Sequence, residues 1–195
     1  DDTSATAELF RLMRSNLLFV LNRVDDKVVL MTSSSSGEGK SFISINLAAT
    51  LALLNKRVLL IGMDIRNPRL AEYLNISPRF GLTQYLSSDN ISIDSLISHV
   101  DDVEGLDVIV AGPVPPNPAE LLLSQKVDDL FARLRGMYDY VIVDTAPIGL
   151  VSDTFTLDRI ADASIYVCRA NYTSLTDLVA CLLYTSDAAD ERSSV

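Results

Sequence analysis

Residues 28–46 read VVLMTSSSSGEGKSFISIN: a strand, a small-residue turn and the opening of a helix. Val28 to Met31 is an unbroken apolar run, the pattern of a strand buried on both faces. Ser33 to Gly39 is a loop of small residues, and from Lys40 and Ser41 a helical pattern continues to Leu54. Gly37 and Gly39 let the backbone curl so that successive N–H groups converge on an anion. The helix start adds the positive end of its dipole. Lys40 supplies a mobile cation for outer phosphates, and the Ser41 hydroxyl is a ligand for Mg²⁺. The stretch is a phosphate cradle of the form G-x-x-x-x-G-K-[ST], with Ser34 in place of the first glycine. A flexible Ser/Gly linker would not sit between a buried strand and an apolar helix. A dinucleotide fingerprint would need a third glycine and bare backbone where Lys40 stands.

Two more apolar runs end in acids. Val58–Ile61 leads to Asp64 and Arg66, and Tyr140–Val143 leads to Asp144 and Thr145. In a parallel α/β sheet, ligands bind beyond the carboxyl ends of the strands, so both acids are expected to face the cradle and hold Mg²⁺ directly or through water. An isolated strand-end Asp is often only a turn former or helix cap. Two of them in a chain with a phosphate loop point to a shared site.

The three segments resemble the Walker A, Walker A′ and Walker B motifs of the bacterial tyrosine kinases (BY-kinases). These are the cytoplasmic domains of the co-polymerase systems that export capsule and exopolysaccharide. The first family motif, similar to T-S-x-x-P-G-E-G-K-S, is matched by Thr32-Ser33-Ser34-Ser35-Ser36-Gly37-Glu38-Gly39-Lys40-Ser41, with Ser36 at the proline position. The second, D-x-D-x-R, is matched by Gly62-Met63-Asp64-Ile65-Arg66, which loses the first acid. The third, D-[ST]-P-P, is matched by Asp144-Thr145-Ala146-Pro147. Glu8-x-x-Arg11-x-x-Arg14 resembles the family's oligomerisation motif, and Pro115 to Leu122 resembles a further family segment. The resemblance spans about residues 7 to 178.

The resemblance implies a tyrosine autokinase that uses ATP and Mg²⁺ and regulates polysaccharide polymerisation and export. Lys40, Asp64, Arg66 and Asp144 would be catalytic. Ser35, Ser36, Gly37, Glu38, Gly39, Lys40, Ser41 and Phe42 would bind ATP or ADP, and Ser41, Asp64 and Asp144 would hold the metal. With Gly62 unable to act as an acid, Asp64 carries that role or transfer is weak. A homo-oligomeric ring would form through Glu8, Arg11 and Arg14, which share one helix face. A membrane-embedded co-polymerase segment, in the same chain or on a partner, would hold the domain at the cytoplasmic face of the inner membrane, the fragment itself being soluble. The alternatives are a nucleotide-binding regulator with little transferase activity and a partition-type ATPase. The latter carries a signature lysine where this chain has Ser35.

Length and composition agree. The 195 residues suit one α/β domain, with apolar strands expected at 28–32, 58–61, 106–110, 140–144 and 164–168 between helices, the first helix over about 5–22. The fold class is therefore α/β, a P-loop NTPase-type parallel sheet flanked by helices, read as truncated at its C-terminus. A net charge of −10 excludes nucleic acid as the main partner. No run reaches the ~20 apolar residues of a membrane span. Residues 181–195 resemble a translated sequencing adapter, which sets the domain at 1–180 and the remainder as a non-native tail lacking the family's terminal strands and Tyr cluster. His99, the single histidine, has no partner at a recognisable spacing and reads as surface or strand end; Cys168 reads as an inert core thiol; the tyrosines read as core or amphipathic surface.

Overall fold

The computed structural model describes residues 2–149 and 156–179. Helix α1 (Asp2–Val20) leads into β1 (Val28–Ser33), the phosphate loop and α2 (Lys40–Ala52). Strand β2 (Val58–Gly62) is followed by the short helices α3 (Leu70–Tyr73) and α4 (Leu82–Leu86), then β3 (Ser98–His99) and β4 (Leu106–Ile109). Helices α5 (Pro118–Leu123) and α6 (Gln125–Met137) precede β5 (Tyr140–Asp144) and β6 (Ala163–Val167). The six strands form one sheet in the order β3-β4-β2-β5-β1-β6, parallel except for β3 on β4.

The central strands are buried throughout because helices cover both faces. Alternation divides their side chains between two cores. Val28 and Leu30 of β1 join Leu59, Ile61, Val141 and Val143 against α4 and α6, whereas Val29 and Met31 join Val58, Leu60 and Ile142 against α1 and α2. At the amino ends of the strands, Asp162 accepts the backbone N–H groups of Lys27 and Val28, each at 2.7 Å, and a forked pair of bonds from Arg135 at 2.7 and 2.8 Å. Burial pushes the Asp162 carboxyl up, but these bonds and the Arg135 charge outweigh it and hold the group below its ordinary value.

All five expected strands are present, within a residue or two at each end. The two-residue β3 went unread because it is too short to show alternation. One expectation is corrected: Cys168 lies just past the end of β6 and is exposed, because β6 is an edge strand that ends at Val167. His99 is exposed on β3, as read, and its Nδ1 contacts Asp107, whose other oxygen accepts the Tyr138 hydroxyl at 2.8 Å. No helix among the described residues is long and apolar enough to cross a membrane. The segment 181–195 lies outside the described residues.

Candidate active site

The strand order explains the site. β1 ends in the phosphate loop, β5 beside it ends in Asp144, and β2 beyond β5 ends in Gly62 and Asp64. Asp144 is level with Met31 of β1 and Gly62 of β2, and its carbonyl accepts the N–H groups of Met63 at 2.8 Å and Asp64 at 3.2 Å. Pairing between neighbouring strands thus sets the two acids side by side.

Lys40 Nζ donates to Asp144 Oδ1 at 2.6 Å, and both side chains are more than nine-tenths buried. Ser41 Oγ donates to Asp144 Oδ2 at 2.7 Å, and Ser44 Oγ lies 3.2 Å from Oδ1. Lys40 and Ser41 are therefore its donors, and Ser44, whose hydroxyl also reaches the Lys40 carbonyl at 2.9 Å, shares its proton between the two; together they compensate the burial of the carboxylate. Asp64 is half-buried, and its Oδ1 accepts the Asn67 N–H at 3.0 Å. Its pKa is raised, first by desolvation and also by the nearby Asp144 charge, against the opposing pull of the Asn67 N–H and of Lys40. A divalent cation would relieve that penalty, so hard oxygen donors from Ser41, Asp64 and Asp144 fit Mg²⁺.

The loop is shaped for an anion. Gly37 and Gly39 have φ of 89° and 90°, a conformation that side chains resist. Glu38 is buried, but its carboxylate is held by the loop itself. It accepts Ser34 Oγ at 2.6 Å and the Ser35 N–H at 2.7 Å, and it contacts Thr173 Oγ1. Burial alone would raise its pKa; the bonds from Ser34, Ser35 and Thr173 outweigh that and lower it. Glu38 thus shapes the cradle. Ser35 is half-buried, Ser36 is exposed, and exposed Phe42 meets Phe10 edge-on with centroids 6.0 Å apart. Arg66 is exposed and does not line the cavity that runs from the loop across Asp144 and Asp64. That cavity is about 1000 Å³ and reaches residues 67–84 and 110–113 beyond β2 and β4.

Sequence reading missed the segment after β6. Arg169 Nη1 donates to the Gly37 carbonyl at 3.0 Å, and the Tyr172 hydroxyl donates to that of Ser36 at 2.9 Å. With Thr173 on Glu38, these residues strap the phosphate loop from outside. They are more than 130 positions away in sequence, so no local pattern reveals them. Ser44 was legible, being one helical turn after Lys40.

On the first helix, Arg11 contacts Glu8, while Arg14 turns inward and donates to the Thr50 carbonyl of α2 at 2.8 Å. Part of the expected oligomerisation stripe therefore serves packing within the subunit.

A family model described as an AAA domain matches residues 26–192. Tyrosine-protein kinase YwqD of Bacillus subtilis is 37% identical over 170 residues, 87% of this chain and 71% of the relative. The chain belongs to the bacterial tyrosine kinase family. The kinase domain of Escherichia coli tyrosine kinase ETK superposes on this BY-kinase chain with a TM-score of 0.88 at 31% identity, covering 93% of this chain and 71% of that one. Tyrosine-protein kinase ptk of Acinetobacter johnsonii is 34% identical over 171 residues, 88% of this chain but 23% of the relative. The chain spans about a quarter of the length of such longer relatives.

Proposed function

We propose that this BY-kinase domain transfers the γ-phosphoryl group of Mg·ATP to tyrosine hydroxyls and so regulates polysaccharide polymerisation and export. One observation carries the reading: Lys40, Ser41, Asp64 and Asp144 converge at the carboxyl ends of three adjacent strands, on a cavity with room beyond the phosphate loop for a second substrate. The loop N–H groups and Lys40 would bind the phosphates, Lys40 exchanging Asp144 for the outer phosphate oxygens. Mg²⁺ bound with the nucleotide neutralises charge on the phosphates. Asp144 and Ser41 would hold it, with Asp64 supplying the acid that Gly62 lacks. Asp64, which lines the cavity beside Asp144, would also accept the proton of an incoming tyrosine hydroxyl.

The domain comprises residues 1–180 in this reading and works as a ring in which Glu8 and Arg11 reach a neighbouring subunit. It serves a membrane-embedded co-polymerase segment, in the same chain or on a partner, at the cytoplasmic face of the inner membrane. The test is incubation with γ-labelled Mg·ATP and a tyrosine-containing polymer. Phosphotyrosine should form with the parent and fall to background with Asp144→Asn. Release of free phosphate with no phosphotyrosine would leave an ATPase and refute the kinase reading.

A further inference from the structure

Among the described residues, six charged ones line the site cavity: Glu38, Lys40, Asp64, Arg69, Arg79 and Asp144. Four are engaged at the phosphate end. Lys40 is paired with Asp144, Glu38 is tied into its own loop, and Asp64 lies beside Asp144. Arg69 and Arg79 differ. Both are exposed, and neither has a carboxylate partner among the described residues; Arg79 only stacks its guanidinium 5.1 Å from the Phe80 ring centroid. Two arginines at one cavity with no carboxylate partner among the described residues are unexpected in a chain with a net charge of −10.

Their position assigns them to the acceptor side. Both belong to the segment that follows β2, and β5 separates β2 from the strand that carries the phosphate loop. Strand spacing puts the two strands roughly 10 Å apart. Nucleotide phosphates on the loop would point across Asp144 toward this far wall. The same wall offers Ile76, Pro78 and Pro113 as an apolar surface for an aromatic ring. A tyrosyl ring seated there, with its hydroxyl toward Asp64, would put neighbouring residues of its chain near the two arginines.

We infer that the acceptor wall selects tyrosines flanked by anionic side chains, with Arg69 and Arg79 as the specificity-determining residues; this rests on the kinase reading. The shared chemistry is an anion beside the target tyrosine, either an Asp or Glu carboxylate or the phosphate of an already modified tyrosine. Arginine suits both, since its planar fork binds either group bidentately.

The test uses peptides that differ only in the residues flanking one tyrosine: Glu, Gln, Lys, or phosphotyrosine on one side. Phosphoryl transfer is measured at fixed Mg·ATP, and peptide binding to the Mg·ADP-loaded protein is followed by fluorescence anisotropy. Two exposed charge pairs should favour the Glu peptide over the Gln peptide by about fivefold, in KM and Kd rather than kcat, and the preference should shrink with added salt. The phosphotyrosine peptide reports whether phosphate is preferred to carboxylate. Arg69→Glu with Arg79→Glu should reverse the order toward the Lys peptide while leaving Mg·ATP affinity unchanged. Equal transfer to all peptides would overturn the inference and leave the kinase reading intact. Loss of Mg·ATP affinity in the double variant would also overturn it, by assigning the arginines to the nucleotide. Nucleotide binding with no transfer to any peptide would overturn both.

Discussion

Replacing Lys40 by methionine tests the site without any ligand. Lys40 and Asp144 form a pair at 2.6 Å whose side chains are only 8% and 5% exposed. Removing one member of a buried pair leaves an uncompensated charge and typically costs about 3–5 kcal/mol. Here the cost is reduced, because Ser41 and Ser44 stay in reach of the Asp144 carboxylate, and bonds to a charged group are worth about 1.5–3 kcal/mol each. Lys40→Met should therefore destabilise the nucleotide-free protein by roughly 2–3 kcal/mol. Asp144→Asn alone should cost a comparable amount, since Lys40 then loses its counter-charge. The double variant should be more stable than the sum of the two predicts, with a coupling of about 1–3 kcal/mol. Urea denaturation followed by circular dichroism gives all four corners of the cycle. Isothermal calorimetry should show ATP binding lost in both variants that lack Lys40. Additive effects within about 0.5 kcal/mol would refute the buried pair, and unchanged ATP affinity in Lys40→Met would refute the phosphate role of Lys40.

Four further variants have expected outcomes. Gly62 has no left-handed φ, and an added Cβ is crowded at 3.2 Å by the flexible tip of Leu70 while Leu70 Cβ and the Ala111 backbone N, at 3.5 and 3.6 Å, are in ordinary contact, so with a small shift of that tip Gly62→Asp should fold and restore an acid level with Asp144; Mg²⁺-dependent phosphoryl transfer should rise, while without metal the added like charge lowers the melting temperature. An unchanged rate in a folded variant would mean the missing acid is irrelevant. Asp162→Ala should cost about 2 kcal/mol in denaturant titrations by removing the acceptor of the Lys27 and Val28 N–H groups and the charge opposite Arg135, which keeps its bonds to the Asp25 and Ile160 carbonyls. Because the Asp162 pKa is lowered on folding, its contribution is intact above the unfolded value of about 4 and drains away as pH falls through the folded value, so parent and variant should converge in acid. Arg11→Ala should reduce the assembled mass in light scattering at low salt while leaving stability within about 0.5 kcal/mol; Arg14→Ala, which loses its bond to the Thr50 carbonyl, should instead loosen α1 by about 1 kcal/mol as read by hydrogen exchange.

The sequence by itself determined the elements and the chemistry that local pattern encodes. Apolar runs of four or five residues mark strands buried on both faces. The spacing of Gly37, Gly39, Lys40 and Ser41 marks the phosphate loop, because those residues act on one ligand from one turn of chain. Asp64 and Asp144 were legible as strand-end acids. What only the tertiary structure decided is which residues meet across strands and loops. The order β2-β5-β1 sets Asp144 between Lys40 and Asp64. Packing turns Arg14 inward to Thr50, and chain reversal after β6 brings Arg169, Tyr172 and Thr173 onto the phosphate loop. The physical reason is range. Backbone propensity and periodicity act over a few residues, whereas these contacts join positions 36 to 136 apart, and such contacts are fixed by which faces the sheet and helices bury together.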